Sequence, residues 1–180
     1  MPLGAEELNH RLKAIRLLVL DVDGVLTDGV IAIDDLGVET KHFHVRDGSA
    51  IALWRKSGGK VAILSGRKAA CVDRRAAELG ITPVVQGVSS KLEPFRAILE
   101  ETGIPTDQTL FMGDDWADLE VLASAGVGAC PGDAADEVRS VAHLVVQSAG
   151  GRGAVREMVE RVLRAQGRFE GLVATYRPVG

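Results

Sequence analysis

The sequence is poor in aromatic residues, and it has neither an excess of basic residues nor a long apolar run. Phe, Trp and Tyr together make up 4% of the chain, and the formal net charge is -4. Base-stacking surfaces need aromatic side chains and nucleic-acid binders are usually basic, so we expect no nucleic-acid partner. No apolar stretch approaches the length of a membrane span, so we expect no membrane contact either.

Cysteine is also scarce, and the beginning of the chain lacks a secretory pattern. Cys71 and Cys130 form no Cys-x-x-Cys pair, and we predict free thiols rather than a disulfide or a zinc site. The segment from Met1 to Ile15 is charged and has no apolar core of the kind a secretory signal needs. We therefore expect a cytoplasmic protein whose 180 residues form a single domain, 1–180.

Short apolar runs alternate with segments of helical periodicity along most of the chain. The predicted strands are Leu17–Leu20, Val61–Leu64, Pro83–Val85, Thr109–Met112, Val127–Ala129 and Leu144–Val146. The predicted helices are Gly48–Lys56, Ala69–Leu79, Leu92–Glu101, Trp116–Ser124, Ala134–Ser140 and Ala154–Ala165. Strands that are apolar on both faces and alternate with helices are typical of an α/β fold with a doubly wound parallel sheet.

Two segments depart from this alternation. Val30–Ile33 and Val38–Val45 flank the turn-like Asp-Asp-Leu-Gly, which predicts a β-hairpin inserted at about residues 30–45. The segment from Gly167 to Gly180 contains Gly, Pro and several polar residues, and we expect a mobile C-terminal tail there.

Two carboxylates directly follow the first predicted strand, in the sequence Asp21-Val-Asp23-Gly. Ligands of an open α/β sheet bind beyond the carboxyl ends of its strands, which is where both side chains would lie. Neighbouring carboxylates repel each other, and a hard divalent cation such as Mg²⁺ offsets that repulsion. A solvated loop rich in aspartate is the alternative interpretation.

A second acidic cluster follows the predicted strand Thr109–Met112, in the order Gly113-Asp114-Asp115-Trp-Ala-Asp118. Asp118 lies one helical turn beyond Asp114, so both carboxylates can face the same site. We predict a metal-binding role for Asp114 and a supporting one for Asp115 or Asp118. The alternative is that these aspartates only cap the N-terminus of a helix.

Ser65 and Lys91 stand near the ends of the next two predicted strands. A hydroxyl that precedes a helix favours an anion such as phosphate, although a lone serine there is more often a helix cap. Lys91 opens a helix and can present a point charge to a phosphate, whereas a lone lysine is usually a solvated surface charge.

Four successive strand ends thus carry Asp-x-Asp, Ser, Lys and Gly-Asp-Asp, which resembles the motif order of the haloacid dehalogenase-like hydrolases. The resemblance implies that Asp21 attacks phosphorus to give an aspartyl-phosphate and that Asp23 is the general acid and base. It implies that Ser65 and Lys91 hold the phosphoryl group. It also implies a Mg²⁺ site that draws on Asp21, Asp23, Asp114, Asp115 and Asp118.

Longer stretches resemble the 3-deoxy-D-manno-octulosonate 8-phosphate phosphatase family over roughly residues 15–168. They are Asp-Val-Asp-Gly-Val-Leu-Thr-Asp-Gly, His-Val-Arg-Asp-Gly, Ser-Gly-Arg-Lys, Gln-Gly, Gly-Asp-Asp and Gly-Gly-Arg-Gly-Ala-Val-Arg-Glu. The resemblance implies a Rossmann-like sheet and hydrolysis of a small phosphorylated keto-sugar acid in lipopolysaccharide sugar biosynthesis. It also implies a homotetramer that assembles through the hairpin, with the C-terminal tail as a lid.

Spacing and position add two expectations to this resemblance. The gaps between Asp28 and Ser65 and between Ser65 and Lys91 are too short for a cap domain. Arginine suits planar anions because its fork can bind them bidentately. By position, the resemblance implies substrate-binding roles for His44, Val45, Arg46, Asp47, Gly48, Arg67 and Arg75.

Two other functions stay open at this point. One is hydrolysis of the nine-carbon 2-keto-3-deoxynononic acid 9-phosphate, but enzymes of that type tend to carry Glu where Arg67 stands. The other is a non-catalytic tetramerisation module. The chain retains every motif residue, Asp21 and Lys91 among them, which favours an enzyme.

Overall fold

The structure is a computed structural model that describes residues 3–176. Its strands are β1 (Leu17–Leu20), β2 (Ala32–Ile33), β3 (Glu39–Thr40), β4 (Lys60–Ser65), β5 (Val84–Gln86), β6 (Thr109–Met112), β7 (Val127–Cys130) and β8 (Leu144–Val145). Six of them form one parallel sheet in the order β5-β4-β1-β6-β7-β8. The strands β2 and β3 pair with each other as an antiparallel hairpin.

The helices are α1 (Ala5–Ala14), α2 (Val45–Lys56), α3 (Ala70–Leu79), α4 (Leu92–Thr102), α5 (Leu119–Ser124), α6 (Asp136–Val141), α7 (Ala154–Ala165) and α8 (Phe169–Ala174). Two short 3₁₀ turns, Thr106–Gln108 and Trp116–Asp118, complete the elements of the described residues. No helix within residues 3–176 combines the length and the apolar character that crossing a membrane requires. Cys71 and Cys130 are free thiols, as predicted.

Strand β1 shows how the sheet is covered on both faces. Leu18 and Leu20 pack into a core formed with α1, α2, α3, α7 and α8, whereas Leu17 and Val19 face α4, α5 and α6. All four side chains are fully buried. A strand that is covered on both faces has to be apolar throughout, which accounts for the unbroken Leu-Leu-Val-Leu run.

The strand order reverses at β1. The chain first builds outward through β4 and β5, and then crosses back to add β6, β7 and β8 on the other side. Because β1 pairs with both β4 and β6, its carboxyl end lies at the point where an open α/β sheet leaves a crevice. Asp21 is the first residue after β1.

The doubly wound sheet with an inserted hairpin is confirmed, and most predicted boundaries shift by only one or two residues. The second hairpin strand is shorter than predicted: β3 ends at Thr40, and Val45, the predicted end of that strand, begins α2. The predicted helix at Trp116–Ser124 begins as a 3₁₀ turn, since the Asp115 carboxylate accepts a hydrogen bond from the Trp116 N–H at 2.8 Å. Helix α1 is an addition to the predicted elements.

The predicted C-terminal tail contains a helix. After a positive φ of 68° at Gly167, the chain enters α8, and Phe169 packs against the core with 9% of its surface exposed. Residues 177–180 of that segment lie outside the described residues. A role of this segment as a lid therefore stays a prediction.

Helix α7 depends on a carboxylate that comes from α2. Asp47 is 1% exposed and accepts hydrogen bonds from the N–H groups of Gly153 at 3.2 Å and Arg156 at 2.8 Å. The first N–H groups of a helix have no partner within the helix and need an acceptor from outside. Asp47 supplies it across the packed pair of helices, since the N-cap residue of α7 is a glycine without a side chain.

We expect Asp47→Ala to lower the free energy of unfolding by about 1–3 kcal/mol, because it leaves one buried and one partly buried N–H group without an acceptor. Urea denaturation measures the change. Asp136→Ala is the matched control, because that aspartate also begins a helix but has a side chain that is 95% exposed; it should change stability by less than about 0.5 kcal/mol. Equal small losses in both variants would contradict the capping role.

Candidate active site

The loop after β1 carries the first acidic pair into the crevice. Asp21 is 6% exposed, and its N–H donates to the carbonyl oxygen of Met112 at 3.0 Å, so the residue is fixed to the end of β6. One carboxylate oxygen accepts from the Val22 N–H at 2.6 Å. The other oxygen, Oδ2, faces Lys91.

Glycines allow this loop to be enclosed tightly. Gly24 has a positive φ of 81°, and a Cβ there would lie 1.9 Å from Asp114 Oδ2. On the other side, a Cβ at Gly150 would lie 1.8 Å from the Gly24 carbonyl oxygen, and the Gly151 N–H donates to Val25 at 2.9 Å. The Gly-Gly-Arg-Gly stretch before α7 therefore supports the loop from behind.

Lys91 links two of the acidic motifs. Its ammonium donates to Asp21 Oδ2 at 2.8 Å and to Asp118 Oδ1 at 2.6 Å, and the residue is 5% exposed. Burial by itself would lower the pKa of Lys91, but the charges of Asp21 and Asp118 outweigh burial and raise it. Lys91 is therefore a permanent cation inside the site, and the alternative of a solvated surface lysine is wrong.

The two aspartates that compete for a supporting role differ in their contacts. Asp118 is fully buried, and its Oδ2 accepts from the N–H groups of Asp114 at 3.0 Å and Asp115 at 3.2 Å. Asp115 caps the turn that begins at Trp116. Asp118 thus orients the loop that presents Asp114, while the capping interpretation is correct for Asp115.

Three carboxylates converge closely enough to hold a metal ion. Oxygen atoms of Asp21, Asp114 and Asp118 all lie within 4.8 Å of one another. Asp114 Oδ1 is buried and has no hydrogen-bond partner among the described residues. Such an orphaned oxygen beside other carboxylates fits a hard cation such as Mg²⁺, which prefers oxygen ligands. The side chains of Asp23 and Asp115, which the resemblance includes in the metal set, lie outside this group of three.

Burial of these carboxyl groups, together with their close approach to one another, raises the pKa values of Asp114 and Asp21. Burial, followed by the charges of Asp21 and Asp118, raises the pKa of Asp114 from 3.8 to about 8. Burial also raises the pKa of Asp21 to about 6, partly opposed by the charge of Lys91. A divalent cation would relieve both penalties, because it stabilises the charged form of each carboxylate.

Asp23 has a different set of neighbours, which come from the hairpin and from the end of β4. Its Oδ1 accepts from Lys41, whose side chain is 1% exposed, and Lys41 also pairs with Glu39 at 2.8 Å. Arg67 binds Glu39 at 3.0 Å and lies 3.7 Å from Asp23 Oδ2. Burial would lower the pKa of Lys41, but hydrogen bonds to Asp23 and Glu39 raise it. Lys41 and Glu39 are missing from the residues predicted from sequence.

Ser65 ends β4 and lines the same crevice while being 2% exposed. It does not cap α3, because that helix begins after Ala69, which occupies the N-cap position. The crevice, called the carboxylate pocket below, has a volume of about 280 Å³. Its lining residues are Asp21, Asp23, Gly29, Ser65, Gly66, Arg67, Lys91, Asp114, Asp115, Ala117 and Asp118.

The other predicted substrate-binding residues do not reach this pocket. His44, Asp47, Gly48 and Arg75 line a separate narrow hollow, and the Asp47 carboxylate there is committed to capping α7. Arg75 binds Glu78 at 2.8 Å, and its guanidinium lies 6.0 Å from the centre of the Phe43 ring. Val45 and Arg46 are exposed at the start of α2. Contacts of all these residues with a substrate stay a prediction.

Comparison with known proteins agrees with this geometry. Residues 80–158 match the family model of the haloacid dehalogenase-like hydrolases. The 3-deoxy-D-manno-octulosonate 8-phosphate phosphatase of Escherichia coli strain K12 is 45% identical over 169 residues, which are 94% of this chain and 89% of the relative. The chain belongs to this phosphatase family. It is therefore also a member of the haloacid dehalogenase-like hydrolases, as its four motifs suggest.

Solved structures of the octulosonate 8-phosphate phosphatases share the fold. The enzyme from Moraxella catarrhalis, in complex with magnesium, phosphate and KDO, superposes with a TM-score of 0.94 at 38% identity, covering 97% of this chain and 100% of the other. The cobalt-bound enzyme from Haemophilus influenzae has a TM-score of 0.86 at 38% identity, covering 88% and 93%. The Mg²⁺ cofactor expected from the carboxylates is thus supported by a close structural relative.

The raised pKa of Asp114 predicts how the stability of the metal-free protein depends on pH. The folded state binds this proton more tightly than the unfolded chain, so stability falls as the pH rises from about 4 to about 8. Asp114→Asn removes this contribution. The metal-free variant should be more stable than the wild type at about pH 8 and similar to it near pH 4.

Calorimetry with and without Mg²⁺ measures this effect. An excess of Mg²⁺ at about 100 times its Kd should stabilise the wild type by roughly 3 kcal/mol and the Asp114→Asn protein far less. The control is Asp107→Asn, in the 3₁₀ turn before β6, at the opposite end of that strand from the site. An equal response of Asp114→Asn and wild type to Mg²⁺ would exclude Asp114 as a ligand.

Proposed function

We propose that this protein removes phosphate from 3-deoxy-D-manno-octulosonate 8-phosphate in a Mg²⁺-dependent reaction that passes through an aspartyl-phosphate at Asp21. The observation that carries the proposal is the buried Asp21 carboxylate at the sheet crevice, paired with Lys91 and adjacent to Asp114. The complex of the Moraxella catarrhalis relative with magnesium, phosphate and KDO supports the choice of cofactor and substrate.

Each group of the pocket has a task in phosphoryl transfer. With a pKa of about 6, Asp21 is mostly ionised at neutral pH and available as the nucleophile. Lys91 supplies positive charge to the transferring group, and the Ser65 hydroxyl can donate to one of its oxygens. Mg²⁺ held by Asp21 and Asp114, with Asp118 in support, would neutralise charge on the phosphoryl oxygens.

Asp23 has the proton-transfer role. It lies two residues beyond the nucleophile and lines the same pocket. In the first half of the reaction its carboxyl group protonates the departing sugar oxygen. In the second half the resulting carboxylate takes a proton from the water that attacks the aspartyl-phosphate.

Arg67 favours the eight-carbon substrate over the nine-carbon alternative. Its guanidinium lines the pocket and is about half exposed, so it can reach a carboxylate of the bound sugar acid. The non-catalytic module is the weaker alternative, because the nucleophile, the phosphate-binding lysine and the acidic cluster occupy one pocket. The cytoplasmic location expected from the sequence belongs to the same proposal, and the two free thiols are consistent with it.

A phosphate-release assay tests the reaction. We expect the wild type to hydrolyse the eight-carbon substrate with a higher kcat/KM than the nine-carbon one. Asp21→Asn should lower kcat for both by at least about 10⁴-fold, because the amide is not a nucleophile.

Asp136→Asn, at the exposed start of α6 and outside both the pocket and the hairpin, is the control for loss of one carboxylate and should leave kcat unchanged. Activity of Asp21→Asn near that of the wild type would refute the covalent mechanism. Equal rates on both sugar acids and on generic sugar phosphates would refute the substrate assignment and leave the mechanism standing.

The hairpin presents an apolar surface that supports the proposed homotetramer. Val30, Ile31, Ile33, Leu36 and Val38 are each about half exposed or more, and Leu36 reaches 88%. Contiguous exposed apolar residues of this kind mark interaction surfaces or aggregation sites. The carboxylate pocket has no cap domain above it within residues 3–176, so a neighbouring subunit at the hairpin would also help to enclose the substrate.

Ile33→Glu combined with Leu36→Glu should dissociate the assembly, since burying two carboxylates at an apolar interface costs several kcal/mol. Sedimentation velocity or light scattering gives the mass of the particle. Ala123→Glu, at an exposed position of α5, adds charge away from the hairpin and should leave the mass unchanged. A wild-type protein that is monomeric at micromolar concentration would contradict the proposal.

A further inference from the structure

The hairpin places two charged side chains against the proton-transfer residue. Glu39 and Lys41 are two positions apart, so they project to the same side of the extended segment. Lys41 contacts Asp23 and Glu39, and Glu39 in turn binds Arg67, which lies 3.7 Å from Asp23. These four residues, called the charge ring below, alternate in sign and sum to zero.

The position of Lys41 is unusual for a lysine at the end of a hairpin. Its side chain is 1% exposed, whereas a lysine on a short hairpin normally extends into water. Removing an ammonium from water costs several kcal/mol unless ionic partners and hydrogen bonds compensate. Asp23 and Glu39 both provide such a partner, and these two ion pairs compensate for the burial of the Lys41 ammonium.

The contact with Lys41 makes the two oxygens of Asp23 different from each other. Oδ1 accepts from the ammonium, while Oδ2 is buried and has no hydrogen-bond partner within residues 3–176. A proton on Oδ1 would be directed against a cation that offers only donors. Arg67 Nε approaches Oδ2 only to 3.7 Å, which is too far for a hydrogen bond, so Oδ2 is the oxygen that stays available for the proton.

We propose that Lys41 is a positioning residue for the reaction: it fixes the Asp23 carboxylate through Oδ1 and leaves Oδ2 to exchange the proton. Glu39 binds both Lys41 and Arg67. The hairpin therefore links Asp23, the proposed acid and base, to the arginine proposed to bind substrate. This inference rests on the proposed phosphatase function.

The steps balance as follows for a phosphate monoester. The Oδ2–H bond of Asp23 breaks and its proton goes to the ester oxygen while the P–O bond to that oxygen breaks and the Asp21 O–P bond forms. Water then displaces Asp21 from phosphorus, and the proton of that water goes to Asp23 Oδ2. Lys41 touches neither phosphorus nor the leaving group in these steps.

Substrates whose leaving groups differ in basicity distinguish a misplaced general acid from general damage to the structure, because only the more basic leaving group needs the proton of Asp23. Phenyl phosphate has a leaving group that needs protonation, whereas para-nitrophenyl phosphate releases a stable anion that does not. We expect Lys41→Met to slow the single-turnover release of phenol by about 10–100-fold, because a misplaced acid loses most of its advantage. The release of nitrophenol should fall by less than about threefold.

Two further variants keep the experiment decisive if Lys41→Met folds poorly. Lys41→Arg retains a cation and should restore most of the phenol release. Glu39→Gln leaves Lys41 in place with one anionic partner fewer, and should fall between wild type and Lys41→Met. Lys60→Met is the matched control, since that lysine binds the Thr102 carbonyl outside the pocket, and both aryl phosphates should react as with wild type.

Each outcome decides a separate question. A loss confined to phenyl phosphate and rescued by arginine supports the positioning role. Equal losses on both aryl phosphates, or no loss on either, overturn it. A wild type that hydrolyses neither aryl phosphate nor the octulosonate 8-phosphate refutes the proposed function itself.

Discussion

The Lys91 ammonium lies between the carboxylates of Asp21 and Asp118, and the arrangement of the metal-binding side of the pocket depends on this buried pairing. Because Asp118 uses its second oxygen to hold the Asp114 and Asp115 N–H groups, Lys91 also fixes the acidic loop after β6. Asp114 then has no cation of its own among the contacts of the described residues, and its raised pKa records that deficit. Three carboxylates thus face a single ammonium, and a divalent cation would offset the remaining negative charge.

The sequence predicts the fold and the centre of the pocket well because both follow from local patterns. A strand covered on two faces has to be apolar, so the runs at Leu17–Leu20 and Thr109–Met112 mark the sheet without tertiary information. The polar residues that interrupt such runs lie at the carboxyl ends of parallel strands, where ligands bind. Asp21 and Asp114 could be identified for that reason, and Ser65 and Lys91 because their order completes a known set of motifs.

Residues whose role depends on distant partners could not be predicted in the same way. Asp47 looks like a substrate residue within its own motif, yet its acceptor oxygens bind α7 more than 100 positions further along. Lys41 and Glu39 look like ordinary hairpin charges until β3 is placed beside the loop that carries Asp23. Their period-two spacing is visible in the sequence, but nothing local indicates which side of the hairpin faces the site.

The contact between Gly24 and Gly150 also has a consequence for how this enzyme can change. Any side chain at either position would overlap Asp114 or the main chain of the other stretch. Even the smallest substitution, to alanine, would therefore require the loop to move. Two stretches more than 100 positions apart, of which only the first contains the nucleophile, are therefore under one steric constraint.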